Sequence, residues 1–536
     1  MLRSLSVRAR CAVLAVHFLC AVSAVAQIGA ALRGRVVDDS GAVIAGAHVE
    51  LTAQATGIHQ QTVTSSSGDY LFSSLHPGTY SVDVTASSFQ RLQRTGITVL
   101  AGQTVRADLS LQPGANRETV TVNTDAPLLQ ADTSSVVTNI PGSTVRAMPL
   151  NSRNFIQLST LAPGVELPPG TLLPRINGGR PRTNEYIYDG ISALQPEPGQ
   201  VVFFPVLDDI EEFTVEANNV PAEFGRFNGG VVNVETRSGS NTIHGSVFEY
   251  FRNEALNARN YFASAAAARK PEYRRNLYGA TLGAPILHNR LFFFGDYQGI
   301  KALIGRTVIS TVPTLNERQG IFTGIAHIYN PATTTVVNGI NVRQQFPNDV
   351  ITTPLDPAAK ALLARFPIPT NLTANANNYS RTANDADHQN QFDVRVDGAM
   401  GNHDRGFGRY SYFSDVEQPV TPLPDGSGAI TGSVIGTGAV IGLSHVLGQQ
   451  AVLSETHTFS PHLLNDLRLG YTRRSNNIIG PSFANTASAA LGIPGIPSNA
   501  AFNNALPLFT ITGFQQIGPS ANTFSSYQTG VWQLLD

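Results

Sequence analysis

The stretch NLYGATLGAPILHNRLFFFGDYQG, residues 276–299, decides the fold class of this chain. Apolar and polar residues alternate on both sides of the polar triplet His288-Asn289-Arg290, from Asn276 to Leu287 and from Leu291 to Gly299. Side chains of a β-strand alternate between two faces, and a short polar triplet suits the turn between antiparallel strands. The stretch therefore predicts a β-hairpin whose strands have about ten residues, the length that crosses a bilayer as a tilted strand.

Two stretches further along the chain repeat this pattern. The first runs from Gln391 to Asp397 and returns through Gly406 to Phe413, and the second runs from Gln450 to Phe459, turns at Ser460-Pro461 and returns from Leu464 to Tyr471. In the first of them, apolar side chains on one face oppose charged side chains on the other: Phe392, Val394 and Val396 against Asp393, Arg395 and Asp397. The repetition predicts that residues 241–536 form part of a transmembrane antiparallel β-barrel.

The N-terminus has the features of an export signal. Arginines among the first ten residues precede an apolar run from Cys11 to Val22, and Ala24-Val25-Ala26 stands before Gln27. The run is shorter than the roughly 20 residues of a membrane-spanning helix, so residues 1–26 are predicted to be a secretory signal cleaved between Ala26 and Gln27. Both cysteines of the chain lie inside this signal, so we expect neither disulfides nor cysteine-bound metals in the mature protein.

The composition suits a protein dominated by β-structure with neutral polar faces. Charged residues make up 14% of the chain, against about 25% in typical soluble domains. Gly, Asn, Ser and Thr fill the polar positions among 27 Phe and 15 Tyr. The net charge of -2 and the lack of a basic run in the sequence argue against nucleic acid as a partner.

The sequence lacks the motifs of several common classes of enzyme. His-Glu-x-x-His, Gly-Lys-Ser/Thr and Gly-x-Ser-x-Gly are all absent from it. The one dense acidic cluster, Asp208, Asp209, Glu211 and Glu212, could supply the paired carboxylates of a glycosidase. Adjacent residues of a strand point in different directions, however, so the cluster is predicted to be a solvated face. We therefore predict no enzymatic activity, no catalytic residue, no metal and no cofactor.

Residues 27–112 have the pattern of a small antiparallel β-sandwich. Short alternating segments are separated by turn signals every 8 to 12 residues or so. Four motifs resemble the carboxypeptidase regulatory-like domain: Gly34-Arg35-Val36-Val37-Asp38, Gly46-Ala47-His48-Val49, Gly68-Asp69-Tyr70-Leu71-Phe72 and Leu75-His76-Pro77-Gly78-Thr79-Tyr80. The resemblance implies a transthyretin-like sandwich, grouped with carbohydrate-binding folds and without peptidase chemistry. It leaves open whether the domain is a folded spacer or contacts sugars.

A linker over residues 113–123 contains the segment Glu118-Thr119-Val120-Thr121-Val122. An extended segment of this kind can add as a strand to the edge of a partner's sheet, where backbone hydrogen bonds supply the affinity. The segment resembles a TonB box, the peptide through which TonB-dependent receptors engage the energising protein TonB.

Residues 124–240 carry four motifs in order. They are Arg175-Ile176-Asn177-Gly178-Gly179-Arg180, Asn184-Glu185-Tyr186-Ile187-Tyr188-Asp189-Gly190, Ile210-Glu211-Glu212-Phe213-Thr214-Val215 and Phe224-Gly225-Arg226-Phe227-Asn228-Gly229-Gly230-Val231-Val232-Asn233-Val234. Together they resemble the plug of TonB-dependent receptors, which implies an α+β domain that folds inside the barrel and closes its lumen. The resemblance singles out the following plug-motif residues: Gly178, Gly179, Arg180, Asp189, Gly190, Gly229 and Gly230.

The predicted barrel segment also resembles this class. Arg409-Tyr410-Ser411-Tyr412 and Leu467-Arg468-Leu469-Gly470-Tyr471 resemble the Oar-like subgroup of TonB-dependent transporters. Barrels of the class close with about 22 strands. The sequence ends at Val531-Trp532-Gln533-Leu534-Leu535-Asp536, without the terminal aromatic strand that the family implies, so it is predicted to be a C-terminally truncated fragment that holds the N-terminal part of the barrel.

The resemblances together imply a multidomain, all-β dominated receptor of the cell outer membrane, with the sandwich in the periplasm. It would import a bulky nutrient, such as an iron chelate, an oligosaccharide or a peptide, and would work with TonB and its inner-membrane energising complex. Its other expected contact is outer-membrane lipid. The alternative is a barrel-anchored surface protein with an adhesive or structural role that could include carbohydrate binding, although a simple anchor would not need a plug.

Overall fold

The protein is described here by a computed structural model. The described residues are 30–114, 119–123, 136–169, 171–197, 199–218, 220, 225, 227–258, 270–401, 403–428, 443–460, 463–479, 488–493, 495, 506–519 and 525–536. Within these ranges, no helix has the length and apolar character needed to cross a membrane.

The first part, residues 30–123, consists of two sheets that share one hydrophobic core, and we call it the N-terminal domain. One sheet has the strand order β4-β1-β7 with β8 also on β1, and the other has the order β3-β2-β5-β6-β9. The strands are β1 (Ala30–Asp38), β2 (His48–Ala53), β3 (His59–Val63), β4 (Asp69–Leu75), β5 (Gly78–Thr85), β6 (Arg91–Val99), β7 (Thr104–Arg106), β8 (Leu109–Leu111) and β9 (Thr119–Asn123).

Alternation in the sequence correctly marks which side chains of this domain are buried. In β5, Tyr80, Val82 and Val84 enter the core while the residues between them are only partly buried. The expectation of a purely antiparallel sandwich is wrong, because β1 pairs in parallel with β7 and β8, and β6 pairs in parallel with β9. Period-2 patterning specifies the buried face of a strand but not the direction of its partner.

The second part, residues 136–236, is the central domain, built on a five-stranded sheet of order β10-β17-β18-β13-β14. Its strands are β10 (Val136–Pro141), β11 (Val165–Glu166), β12 (Arg175–Ile176), β13 (Glu185–Tyr188), β14 (Ile191–Ser192), β15 (Leu194–Gln195), β16 (Gln200–Val201), β17 (Ile210–Asn218) and β18 (Val231–Thr236). Its helices are α1 (Gly142–Ala147) and the 3-10 helices Phe155–Leu161 and Leu207–Asp209. All four residues of β13 are buried, as in a strand covered on both faces.

The third part is an eight-stranded antiparallel sheet, which we call the sheet wall. Its order is β19-β20-β21-β24-β25-β26-β27-β28. The strands are β19 (His244–Asn253), β20 (Tyr273–Leu287), β21 (Leu291–Ser310), β24 (Tyr379–Met400), β25 (Asp404–Gln418), β26 (Leu443–Ser460), β27 (Leu463–Ile479) and β28 (Ser525–Leu535). All three hairpins predicted from the sequence are present, as β20–β21, β24–β25 and β26–β27.

The connections of the sheet wall are short at one end and long at the other. Two or three residues separate the paired strands within each of the three hairpins, at what we call the short-turn end. The strand ends at the opposite, long-loop end are separated in sequence by 68 residues between β21 and β24, 24 between β25 and β26 and 45 between β27 and β28. The first long loop holds α2 (Leu315–Arg318), β22 (Thr335–Val337), β23 (Ile340–Val342), α3 (Pro357–Leu363) and the 3-10 helices Pro331–Thr333 and Pro347–Asp349; further 3-10 helices are Glu254–Leu256 and Ala489–Leu491. Short turns on one side and long loops on the other are typical of outer-membrane barrels.

The two faces of the sheet wall have opposite character. On β24, the charged Asp393 and Arg395 are each only 2% exposed, while Val394 between them is 38% exposed. Large apolar side chains point away from the protein on other strands too, with Leu453 60% and Trp532 70% exposed. A polar face turned toward protein and an apolar face turned outward is the reverse of a soluble sheet, and it suits strands that contact lipid.

Candidate functional site: the junction of the central domain and the sheet wall

A buried ion-pair network joins the central domain to the polar face of the sheet wall. Asp189, directly after β13, is fully buried, and Arg395 Nη1 on β24 donates to its Oδ1 at 3.0 Å. Arg409 Nε on β25 lies 2.6 Å from the other carboxylate oxygen. Thr236 donates to the same carboxylate twice, through its backbone N–H and its hydroxyl, at 2.9 Å each. We call these four residues the interior network.

The interior network explains how two arginines can be buried side by side. Arg395 and Arg409 are direct cross-strand partners, and like charges in that position are destabilising on their own. Asp189 lies against both guanidiniums, so one carboxylate from the central domain offsets the repulsion within the sheet wall. Burial raises the pKa of Asp189, but Arg409 and Arg395 outweigh that effect and lower it to about 2. The carboxylate therefore stays charged at neutral pH.

Gly190 allows the central domain to approach the sheet wall this closely. Its φ is +85°, a conformation that favours glycine, and a Cβ at this position would lie 2.1 Å from Nη1 of Arg468. Arg468 is in turn paired with Asp466 on the same strand, at 3.2 Å. The Asp189-Gly190 motif thus provides both the charge and the close backbone approach of the junction.

The N-terminal domain contacts the short-turn end of the sheet wall beside this network. The Ser74 hydroxyl donates to Asp466 Oδ2 at 2.6 Å, and the His76 ring stacks edge-on against Phe407 at 5.9 Å. Burial, with Arg395 nearby, lowers the pKa of His76 to about 4, so the ring is neutral at physiological pH. The N-terminal domain, the central domain and the sheet wall are therefore all in contact close to Arg395.

The acidic cluster at residues 208–212 is not a solvated face, which corrects the sequence-based interpretation. Asp209 and Glu212 are only 1% and 2% exposed, and Asp208 is bonded to Arg153. Glu211 alone among them is exposed. The prediction that neighbours point in different directions holds, but Asp209 faces the sheet wall and Glu212 faces the N-terminal domain, and only Glu211 is exposed to solvent.

Glu212 links the central domain to the N-terminal domain. Its carboxylate accepts hydrogen bonds from the backbone N–H of Ala101 at 2.9 Å and from Asn139 Nδ2 at 2.7 Å. Burial raises the pKa of Glu212 from 4.5 to about 7, against the opposing effect of these hydrogen bonds. Because protonation is easier in the docked state than in the separated one, the contact gains stability at low pH and loses it as the pH rises through 7.

Protection of the Ala101 amide against hydrogen exchange is expected to fall by at least about tenfold between pH 5 and pH 8, after correction for the intrinsic exchange rate. Glu212→Gln, which stays neutral at both pH values, should remove this dependence. Glu211→Gln is the matched control at an exposed neighbour and should leave it unchanged. A pH dependence that persists in Glu212→Gln would contradict the assignment to this carboxyl.

A cavity of about 330 Å³ lies between the central domain and the sheet wall. The central domain lines it with residues 151–154 and 201–205, and the sheet wall lines it with charged side chains: Arg275, Asp387, Asp415 and Arg474. Strand β24 runs from the long-loop end to the short turn, and Asp387, Gln389 and Gln391 line the cavity before the strand reaches Arg395. The cavity is therefore on the long-loop side of the interior network. Its size falls within the range of small-ligand sites.

The glycines of the other plug-like motifs meet inside the central domain. A Cβ on Gly179 would lie 2.9 Å from the Asn228 carbonyl oxygen, and one on Gly230 would lie 2.5 Å from that of Glu216. A Cβ on Gly229 would lie closer still, 2.2 Å from Oδ1 of Asn184, whereas one on Gly178 would meet open space at a φ of +74°. These glycines shape the domain's own packing. Arg180 is exposed and lies outside the junction.

The TonB-box-like segment forms a strand of the N-terminal domain. Thr119, Val120, Thr121 and Val122 belong to β9, which pairs in parallel with β6, for example Val120 with Leu92. The sheet of the N-terminal domain thus extends to Asn123 and includes residues 119–123 of the segment predicted to be a linker. Glu118 lies outside the described residues, as do Ala26 and Gln27 of the predicted cleavage site.

Sequence reasoning did not identify the wall residues that complete the site. Arg395 and Arg409 appear in it only as members of alternating strands or of a family-like motif. The available signal was their charge, since charged residues are scarce in this chain and these occupy the face opposite to the apolar one. That signal predicts burial inside a barrel, but it does not name Asp189 as the partner.

Family models match two parts of the chain. A model described as outer membrane beta barrel domain matches residues 235–536, and a model described as carboxypeptidase regulatory-like domain matches residues 31–112. The chain is also similar to the TonB-dependent transporter Oar of Myxococcus xanthus, with 28% identity over 265 residues. That match covers 47% of this chain and 25% of Oar, so the matched region spans about a quarter of that relative's length.

Solved structures that align with this chain include a transporter and a receptor. The outer membrane transporter YddB from Escherichia coli aligns with a TM-score of 0.39 and 12% identity, over 64% of this chain and 39% of that one. The ferric enterobactin receptor PfeA from Pseudomonas aeruginosa aligns with a TM-score of 0.39 and 12% identity, over 74% of this chain and 45% of that one. Because the barrel model covers more than half of the sequence, the chain belongs to the outer membrane beta barrel domain family and is a protein of the outer membrane.

Proposed function

We propose that this chain is the plug-bearing part of a TonB-dependent outer-membrane transporter that imports a bulky nutrient. The observation that carries the proposal is the junction: a separately folded domain covers the polar face of an outward-apolar sheet and is held there by the Asp189 ion pairs. An adhesive anchor needs an apolar outer face but has no use for such a domain. Similarity to the transporter Oar supports the same conclusion.

In this proposal, the sheet wall is part of a closed barrel and the central domain is its plug. Backbone groups at the edge of a sheet cost several kcal/mol each in lipid, so β19 and β28 are expected to be joined through further strands. The short-turn end, where the N-terminal domain docks, would face the periplasm. The long loops would face outward and receive the ligand.

The 330 Å³ cavity is the proposed inner end of the ligand path. It is lined by both the central domain and the sheet wall, so any displacement of the domain changes its shape. Its lining carries both signs of charge together with Phe203, Phe204 and Phe413. A polar ligand with some apolar surface fits this lining, which leaves iron chelates, oligosaccharides and peptides as the classes to test.

The proposed energy input is a pull by TonB on the segment that includes β9. Recognition by strand addition depends on backbone hydrogen bonds, so a residue without an N–H should weaken it. In calorimetric titration of the purified chain with the C-terminal domain of TonB, we expect binding to be lost on deletion of residues 117–123. Val120→Pro should weaken binding strongly, whereas the matched Val120→Ala should retain it.

The transport part of the proposal is tested in cells of the native host. Uptake of a ferric chelate, an oligosaccharide and an oligopeptide would be compared between wild-type cells and cells with the 117–123 deletion. Energy-dependent uptake of one of them should be abolished while its surface binding is retained. Unchanged uptake would overturn the coupling role, and loss of surface adhesion without loss of any uptake would favour the adhesive alternative.

A further inference from the structure

Three buried carboxylates face one another across the junction, apart from the interior network. Asp209 ends a 3-10 helix of the central domain, Asp296 lies on β21 and Asp393 lies on β24. They are 1%, 7% and 2% exposed, and each offers a carboxylate oxygen within 4.8 Å of those of the other two. We call these residues the carboxylate triad.

The described residues do not satisfy the hydrogen-bonding capacity of the triad. Neither carboxylate oxygen of Asp296 has a hydrogen-bond partner among the described residues, and Oδ2 of Asp209 has none there either. Oδ1 of Asp393 lies 3.8 Å from Nη1 of Arg409, which is too far for a hydrogen bond. Asp296 is thus more than nine-tenths buried, has no hydrogen-bond partner for either oxygen among the described residues, and places one oxygen within 4.8 Å of two other carboxylates. This arrangement indicates a missing cationic partner.

The sheet register adds electrostatic repulsion within the triad. Asp296 and Asp393 are direct cross-strand partners, and like charges in this position repel one another. The same problem at Arg395 and Arg409 is solved by a counter-charge from the central domain. At Asp296 and Asp393 the central domain contributes a third negative charge, Asp209.

Nearby arginines offset the charge of the triad only in part, because they are shared with other carboxylates. Arg409 reaches Asp393 at 3.8 Å, beyond hydrogen-bond distance. Arg395 binds Asp189 and Asp397, and Arg409 binds Asp189, Ser411 and Gln450. Five buried carboxylates lie around the junction, those of Asp189, Asp209, Asp296, Asp393 and Asp397. They outnumber the two guanidiniums by three. Arg468 is bound to Asp466 and does not change this balance.

We propose that the carboxylate triad is a calcium site that fastens the central domain to the sheet wall. Calcium takes only oxygen ligands, at about 2.3–2.6 Å, so ligands on opposite sides of the ion lie roughly 5 Å apart, in keeping with the spacing of the triad. Magnesium, at about 2.0–2.1 Å, suits a tighter set, and the triad has neither the histidine nor the cysteine that zinc prefers. Asp296 and Asp393 belong to the sheet wall and Asp209 to the central domain. A bound ion would therefore strengthen the docking of the central domain onto the sheet wall, regardless of which nutrient is transported.

The test uses the full chain purified in detergent micelles, stripped with EDTA and then titrated with calcium chloride. Wild type should bind one calcium ion per chain and show a higher Tm with calcium than with EDTA. Asp296→Asn should weaken calcium binding by at least about tenfold and abolish the calcium-dependent part of Tm. Asp385→Asn is the matched control, since Asp385 is another buried aspartate on the same face of β24, with its own partner in the Val420 backbone N–H. It should respond to calcium like wild type.

The Tm in EDTA shows whether the Asp296→Asn variant is folded. It also tests a second prediction, the direction in which the substitution changes stability without calcium. Removing one of three repelling carboxylates should leave the variant at least as stable as calcium-free wild type, while making it less stable than calcium-loaded wild type. A wild-type Tm that does not respond to calcium overturns the proposal. An equal calcium response in Asp296→Asn overturns it too, because the ion would then be bound elsewhere.

Discussion

Replacing Asp189 by alanine is expected to detach the central domain from the sheet wall. The substitution leaves Arg395 and Arg409 buried, adjacent and without their shared counter-charge. Breaking a buried ion pair by removing one partner costs about 3–5 kcal/mol, which corresponds to at least a hundredfold change in an equilibrium constant. Thr236 also loses the acceptor of its two hydrogen bonds.

The expected effect can be measured by hydrogen exchange of the full chain in micelles. Amides of β13, which is buried throughout, should lose protection by a factor of about a hundred or more in Asp189→Ala. Glu211→Ala is the control in the same domain, since Glu211 is 44% exposed and its pair with Arg237 should contribute no more than about 1 kcal/mol. Wild-type protection of β13 in Asp189→Ala would show that the ion pairs do not hold the domain in place.

Local periodicity was sufficient to predict the strands of the sheet wall. The predicted turn at His288-Asn289-Arg290 is the turn between β20 and β21, where Asn289 adopts a φ of +62°. The strands themselves extend beyond the predicted segments, because Tyr379–Met400 continues to alternate through polar residues that carry little hydrophobic signal. Membership of the outer membrane beta barrel domain family confirms the class of fold inferred from this pattern.

The junction could not be predicted in the same way, because its contacts join residues far apart in the chain. Asp189 and Arg395 are separated by 206 positions, and nothing in the spacing within either strand specifies which strand faces which domain. The wrong prediction of a solvated acidic cluster has the same cause. Asp209 and Glu212 are buried only because the two neighbouring parts of the protein cover them, and the local sequence does not indicate those contacts.

The carboxylate triad illustrates the limit of motif-based reasoning about metals. Asp209, Asp296 and Asp393 fit no ligand-spacing motif, and the sequence prediction was that the chain has no metal site. A calcium site assembled from separate elements leaves only isolated acidic residues in the sequence. The triad is brought together by the sheet register, which aligns Asp296 with Asp393.

Val394→Arg is expected to impair insertion of the sheet wall into a membrane, because Val394 lies on the outward face of β24. The strand already carries Arg395 at the next position, where Asp189 and Asp397 neutralise it on the inner face. On the outer face no such partner is available among the described residues, and an arginine facing lipid near the middle of the bilayer costs about 2–4 kcal/mol. Urea titration of the chain in lipid vesicles should show a loss of folding free energy of this size.

Val336→Arg distinguishes the cost of lipid contact from the cost of the substitution itself. Val336 lies in the long-loop hairpin formed by β22 and β23 and is 70% exposed, against 38% for Val394. If both side chains faced water, both substitutions to arginine would be tolerated. If Val394 contacts lipid and Val336 does not, only Val394→Arg lowers the free energy of folding. Equal stability of the two variants in vesicles would mean that the apolar face of β24 does not contact lipid, and it would remove the physical basis for treating the polar face as a transport lumen. A selective loss in Val394→Arg would instead place the interior network and the cavity inside the barrel.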